Sequence, residues 1–193
     1  MDEVAPPPDA ANETTLEVVR DPSPPAGDET FPRRLMVRAS AAGQLPLLGP
    51  LAELGNAGAG VRLAFGWYFL RRIAVLAELG GALIPRATSD ERGHTLASAL
   101  VLLRATVVLD EALTIFGEAG GGLAVSTAEA HANVNLHAAR PMAALATSLG
   151  LELDLLGWLS GEGGARVEVL FAERTWGGTS VVATPYVATT VHF

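Results

Sequence analysis

The sequence predicts an all-β chain, an eight-stranded antiparallel up-and-down transmembrane β-barrel preceded by a disordered N-terminal tail. Three observations point there. The last nine residues, Pro185-Tyr186-Val187-Ala188-Thr189-Thr190-Val191-His192-Phe193, read as an alternating strand, and seven more strand-like segments lie upstream. The 193 residues are 49% apolar and only 18% charged, which is rich for a chain that meets water on all sides. Yet Arg62, Arg71, Arg72, Glu78, Arg104, Glu118, Glu152 and Asp154 interrupt every apolar run before it reaches the length of a transmembrane helix. Strands are the remaining way to place so much apolar surface in a membrane.

Residues 1–32 form the tail. Pro6, Pro7, Pro8, Pro22, Pro24, Pro25 and Pro32 stand among acids, and each removes an amide donor and pushes its neighbour toward extended backbone. So few apolar residues cannot offset the entropy of ordering, so the segment reads as a disordered linker. Within it, Glu13-Thr14-Thr15-Leu16-Glu17-Val18-Val19 faintly resembles the box through which energised outer-membrane receptors engage a periplasmic partner. It departs from that pattern at Glu17, and the segment is read as plain linker.

Residues 33–193 carry the barrel, with strands expected at 34–45, 59–70, 73–84, 96–109, 113–126, 142–156, 165–175 and 180–193. The connections alternate in character. Arg71-Arg72 and Asp110-Glu111-Ala112 are short, whereas those after the first, third and fifth strands are longer and carry Pro, Gly, Asn or His. The connection 157–164 is longer than this habit. Helix remains the competing reading over 96–118, since Leu, Ala and Glu favour it. Val101, Thr106, Val107, Val108, Thr114 and Ile115 are β-branched, and Gly117, Gly120, Gly121 and Gly122 would weaken any helix continuing through them.

Face content separates a membrane barrel from a soluble one. Followed by twos, one face carries Val61, Leu63, Phe65, Trp67 and Phe69, then Ile73, Val75, Leu79 and Leu83, then Val101, Leu103, Val107 and Leu109, then Leu149, Leu151, Leu153 and Leu155. The other face holds Gly, Ala, Ser and Thr around a few charges, which suits the cramped inside of an eight-stranded barrel better than a solvated exterior.

Those charges are the candidate site: Arg38, Arg62, Glu78, Arg104, Glu118, Glu152, Asp154, Arg166 and Glu168 share one face. Buried alone they would be too costly, so they should pair. A hairpin about Glu111 sets Arg104 opposite Glu118, and a connection centred near Ser160 sets Asp154 opposite Arg166. Face parity at Arg71-Arg72 demands an odd loop such as 70–72, because a two-residue loop would oppose Phe65 to Glu78. The functional alternative for the group is an ion-selective constriction. Trp67, Phe69, Trp158 and Phe193 are expected at the periplasmic rim and Trp176 at the outer one, where amphipathic rings favour the interface.

Other chemistry finds little support. The chain has no Cys, which removes disulfides and thiolate metal sites. All thirteen basic residues are Arg and the net charge is −8, so the phosphates of nucleic acid would be repelled. Ser126, Glu129, His131 and His137 gather on or beside one loop without the adjacent Ser and His of lipid-modifying barrels, and no enzyme is expected. His131, Asn133, Asn135 and His137 read as solvated loop rather than metal ligands, His94 and His192 stand alone, and no cofactor or metal is expected. The start Met1-Asp2-Glu3 has neither a basic end nor an apolar core, so the expectation is a mature chain whose signal has been removed.

An alternating final strand closing on Phe193, even strand number, short turns and longer loops together resemble the small outer-membrane barrels of the OmpA and OmpX type. The resemblance implies a bacterial outer-membrane location with both termini periplasmic, contact with outer-membrane lipid and lipopolysaccharide, and insertion by the barrel-assembly machinery through the strand ending at Phe193. It also implies a monomer with a closed or very narrow lumen and a structural or surface-contact role, presented through loops 47–57, 85–94 and 127–140. A small-solute or apolar-molecule channel and a lipid A-modifying enzyme are the alternatives.

Overall fold

In the computed structural model, residues 34–54, 56–85, 94–128, 138–172 and 178–193 are described. Their strands are β1 (Leu35–Leu48), β2 (Gly58–Leu70), β3 (Ile73–Ile84), β4 (His94–Val108), β5 (Leu113–Ala128), β6 (Ala138–Asp154), β7 (Leu159–Phe171) and β8 (Thr179–His192). Each pairs antiparallel with the next, and β1 pairs with β8, closing the barrel. A short helix, α1 (Pro50–Leu54), follows β1. No helix among the described residues is long and apolar enough to cross a membrane.

Closure follows from alternation. In β4 the inward Leu100, Leu102 and Arg104 are buried while the outward Val101 and Leu103 are 59% and 50% exposed. The same holds around the circle, with Leu63, Phe65, Leu79, Leu149 and Leu151 all at least half exposed. The 96–118 stretch is therefore strand, not helix. A closed ring of strands with no free edge and an apolar coat rich in Leu, Val and Phe is solvated by lipid, not water.

The two ends differ. At the turn end lie Arg71-Arg72, the connection 109–112, the connection 155–158, the start of β1 and the end of β8. Asp110 caps its turn by accepting from the amides of Ala112 and Leu113 at 2.8 and 2.7 Å. At the loop end, Gly49 adopts φ 82°, and a Cβ there would lie 2.1 Å from the Thr179 carbonyl oxygen. That close turn folds α1 inward, burying Leu51 among the lumen residues and bringing its amide 3.4 Å from Ser180 Oγ.

Register departs from expectation at two places. The β2–β3 turn has two residues, but a bulge at Phe69 shifts the ladder between Leu70↔Ile73 and Tyr68↔Ala74. Phe65 thereby faces Ala77, so parity is kept by a bulge instead of an odd loop. The β6–β7 connection is shorter than expected, since β7 begins at Leu159, so Asp154 faces Ser160 and Arg166 faces Ser148. The predicted Asp154–Arg166 pairing is thus replaced by a ladder six residues tighter. β5 and β6 also run farther toward the loop end than 126 and 142, reaching Ala128 and Ala138.

Candidate functional site

Arg38 (β1), Arg62 (β2), Glu78 (β3), Arg104 (β4), Glu118 (β5), Glu152 (β6), and Arg166 and Glu168 (β7) all point into the lumen and are buried. Period 2 sends them inward, and the registers bring them to one level; Arg104 sits directly opposite Glu118, as the hairpin about Glu111 requires. Asp154 is not among them. At the end of β6 it is exposed, and its carboxylate accepts from the Gly157 amide, capping the turn.

The contacts cross the lumen more than they follow the ladder. Arg38 reaches Glu78 at 2.9 Å and also Glu118 and Glu162. Arg104 is fully buried, with Nη2 2.6 Å from Glu152 and Nη1 3.1 Å from Glu162 and 3.3 Å from Glu118. Its guanidinium also lies 3.8 Å from the centre of the Phe116 ring. Arg166 donates two bonds to Glu78 and one to Glu118, and Arg62 pairs with Glu168. Hydroxyls complete the set: Ser148 donates to Glu118 at 2.9 Å, Ser160 to Glu152 at 2.7 Å, and Thr190 to Glu162. Because each carboxylate meets at least one guanidinium, the desolvation cost of each ion is offset by several partners.

Sequence reasoning missed Glu162, Ser160 and His192. Glu162 stands among Gly161, Gly163 and Gly164, which reads as loop, yet it shares parity with Arg166 and Glu168. His192 Nε2 lies 2.9 Å from Glu152 and 3.1 Å from Ser160, at the turn-end mouth of the lumen. Large apolar side chains also point inward, against the expectation of mostly small ones. Met36, Leu76 and Leu102 occupy the turn-end half, while Leu96, Leu170 and Val182 join Leu51 in the loop-end half.

The aromatic residues Trp67, Phe69, Trp158 and Phe193 are exposed at the turn end, with the Trp67 and Phe69 rings 6.5 Å apart. Trp176 lies outside the described residues, as do Glu129, His131, Asn133, Asn135 and His137; Ser126 is buried on the inward face of β5. The expected tail, 1–32, also lies outside them.

A closed eight-stranded barrel with a lipid-solvated coat and a salt-bridged lumen defines an integral membrane barrel of the small outer-membrane architecture. No family model matches the chain, and no curated protein does. Among solved structures it is similar to Neisserial surface protein A (NspA), with 11% identity, a TM-score of 0.67, and 82% of this chain and 97% of that one covered. It is also similar to Ail, the attachment invasion locus protein of Yersinia pestis, with 14% identity, a TM-score of 0.56, and 83% and 99% covered. A second Ail structure, in complex with the heparin analogue sucrose octasulfate, matches at a TM-score of 0.57 with the same identity. At these identities the likeness is one of fold.

Proposed function

We propose that this chain is a closed outer-membrane barrel whose role is structural or surface-contact, exercised through its loop end, and that it neither conducts solutes nor acts as an enzyme. The observation that carries this reading is the filled lumen. Four Arg and five Glu interlock across it, with Met36, Leu76 and Leu102 in one half and Leu96, Leu170 and Leu51 in the other. Conduction would require separating buried ion pairs that cost about 3–5 kcal/mol each to break. In this reading the short-turn end and both termini face the periplasm, the coat meets outer-membrane lipid and lipopolysaccharide, and the strand ending at Phe193 engages the assembly machinery. The barrel works as a monomer.

Two of the similar barrels are described as a surface protein and an attachment protein, which supports the surface-contact role. The polyanion held by Ail is not carried over. The loop-end segments 46–57, 85–94, 127–140 and 172–178 contain Arg86, Arg92, Arg140 and Arg174 against Glu53, Asp90, Glu91, Glu129 and Glu173. A nearly neutral loop set has no excess of cations to hold a sulfated chain.

The test pairs topology with conductance. An epitope placed in 86–92 should be labelled on intact cells, while one placed at Arg71-Arg72 should need permeabilised cells. Planar bilayers containing the full-length chain should show no steady current. A stable unitary conductance would refute the closed lumen, and an inaccessible 86–92 epitope would refute surface contact.

A further inference from the structure

The outer wall is not level over β2, β3 and β4. A recess of about 570 Å³ opens there, bounded by Leu63, Phe65, Leu79 and Val101 and floored by the outward Ala77 and Ala99. The registers place it: Ala77 lies between Phe65 and Val101 in one row across the strands, and Leu79 lies between Leu63 and Ala99 in the next. On a wall solvated by lipid, hydrocarbon fills such a recess.

The same strands carry interface groups toward the turn end. Trp67 occupies the row after Phe65, and the bulge at Phe69 sets a second ring 6.5 Å from it, so Trp67, Phe69 and Leu70 are all exposed between the recess and the turn. The turn itself is Arg71-Arg72. Arg71 lines the mouth of the lumen with Glu111 and Asp154. Arg72 is exposed and makes no ion pair among the described residues, while its carbonyl oxygen accepts from the Thr106 amide at 2.9 Å and fixes its place. The other described turns are acidic, with Asp110 and Glu111 after β4 and Asp154 at the end of β6. Arg34 stands beside the chain end at Phe193, whose terminal carboxylate offsets it, and is not counted. Arg72 is five residues from Ala77 along β3. That is roughly 17 Å of strand, or about 13 Å of depth at a tilt of about 40°, close to the ~15 Å of hydrocarbon in one leaflet. A single lipid molecule thus reaches from the Arg72 guanidinium to the recess.

We propose that this sector of the wall is a binding site for an anionic phospholipid, with its phosphate at Arg72, its glycerol region against Trp67 and Phe69, and an acyl chain in the recess over Ala77 and Ala99. A headgroup of net negative charge is preferred to a zwitterionic one, whose own cation is repelled by Arg72. The acidic turns on the far side of the rim repel the same headgroup, so the site is confined to β2–β4. Its occupation in the cell rests on the reading that the turn end faces the periplasm, where the leaflet is phospholipid. The epitope experiment tests that orientation, whereas symmetric vesicles test the site alone.

The full-length chain carrying Trp158→Phe and Trp176→Phe keeps Trp67 as its single tryptophan. It is refolded into vesicles of phosphatidylcholine and phosphatidylglycerol, with brominated chains, which quench tryptophan on contact, on one lipid or the other. Quenching of Trp67 should report phosphatidylglycerol enriched about fivefold over its bulk share, the preference one basic side chain gives near a membrane surface. Arg72→Gln, at an exposed turn, should return it to the bulk share. Ala77→Phe, which fills the recess from outside, should reduce the enrichment by about twofold or more. A chain that keeps Trp158 alone, in the turn after Asp154, should report the bulk share. Bulk composition at Trp67, equal enrichment at Trp158, or enrichment that survives Arg72→Gln overturns the site. Enrichment untouched by Ala77→Phe overturns the seating of the acyl chain.

Discussion

Glu152 and Glu162 face each other as direct ladder partners on β6 and β7, and both close onto the single guanidinium of Arg104, at 2.6 and 3.1 Å. The arrangement explains why the lumen's charges cannot be divided into separate pairs. Arg104 also reaches Glu118, and Glu118 in turn holds Arg38 and Arg166, so one substitution removes a partner from carboxylates on three strands and leaves Glu152 without a guanidinium.

Arg104→Ala is therefore expected to destabilise the barrel by about 3–5 kcal/mol, the usual cost of leaving buried charge unpaired. Arg72→Ala, on the exposed β2–β3 turn, should cost about 0–1 kcal/mol. Urea unfolding midpoints of the two variants, followed by tryptophan fluorescence in detergent, measure the difference. Equal midpoints would contradict the role given to Arg104.

Gly150 and Gly163 separate packing from backbone effects on neighbouring strands. A Cβ on Gly150 would lie 2.5 Å from Phe116 Cζ and 2.8 Å from the Gly163 carbonyl oxygen, and Phe116 is the ring beneath Arg104. A Cβ on Gly163 would meet nothing within 4 Å. Gly150→Ala should cost about 1–3 kcal/mol as Phe116 is displaced. Gly163→Ala should be neutral or stabilising by up to about 1 kcal/mol, since it narrows the unfolded ensemble. The same unfolding measurement reads both.

The sequence showed the strand number and the inward face clearly because outward Leu, Val and Phe recur with period 2 from Val61 to Leu155. It hid Glu162 because Gly161, Gly163 and Gly164 look like a turn while serving as strand, the first two on the outward face and Gly164 on the inward face beside Tyr186. The same error lengthened the β6–β7 connection and moved Asp154 onto Arg166. At Phe69 the parity argument was sound, but turn chemistry alone does not reveal a bulge. His192 carried no signal by itself; its partner Glu152 is 40 residues away and two strands over, with β7 between β8 and β6.

Deletion of residues 1–30 should leave folding intact, because the described ladders close between β1 and β8 without that segment. Heat-modifiable mobility in gels and the urea midpoint should match the full-length chain. Planar-bilayer current should stay absent in both forms, since the described groups that fill the lumen come from strands and α1. Conductance appearing on truncation alone would mean that the tail plugs a path the barrel leaves open.

Leu149→Arg tests the solvent of the outer face. Leu149 is 66% exposed near the middle of the barrel wall, between Gly117 of β5 and Ala165 of β7. On a water-soluble barrel such a change would be nearly neutral, as exposed substitutions usually are. On a lipid-facing wall, Arg at mid-depth must carry its charge into hydrocarbon or snorkel to the interface, at about 2–4 kcal/mol. Leu156→Arg, in the exposed turn between β6 and β7, has the interface within reach and should cost about 0–1 kcal/mol. Refolding into phosphatidylcholine vesicles followed by urea titration should therefore rank Leu149→Arg well below Leu156→Arg. Equal midpoints, or a monodisperse chain in detergent-free buffer, would place water against the Leu-rich coat and overturn the membrane reading.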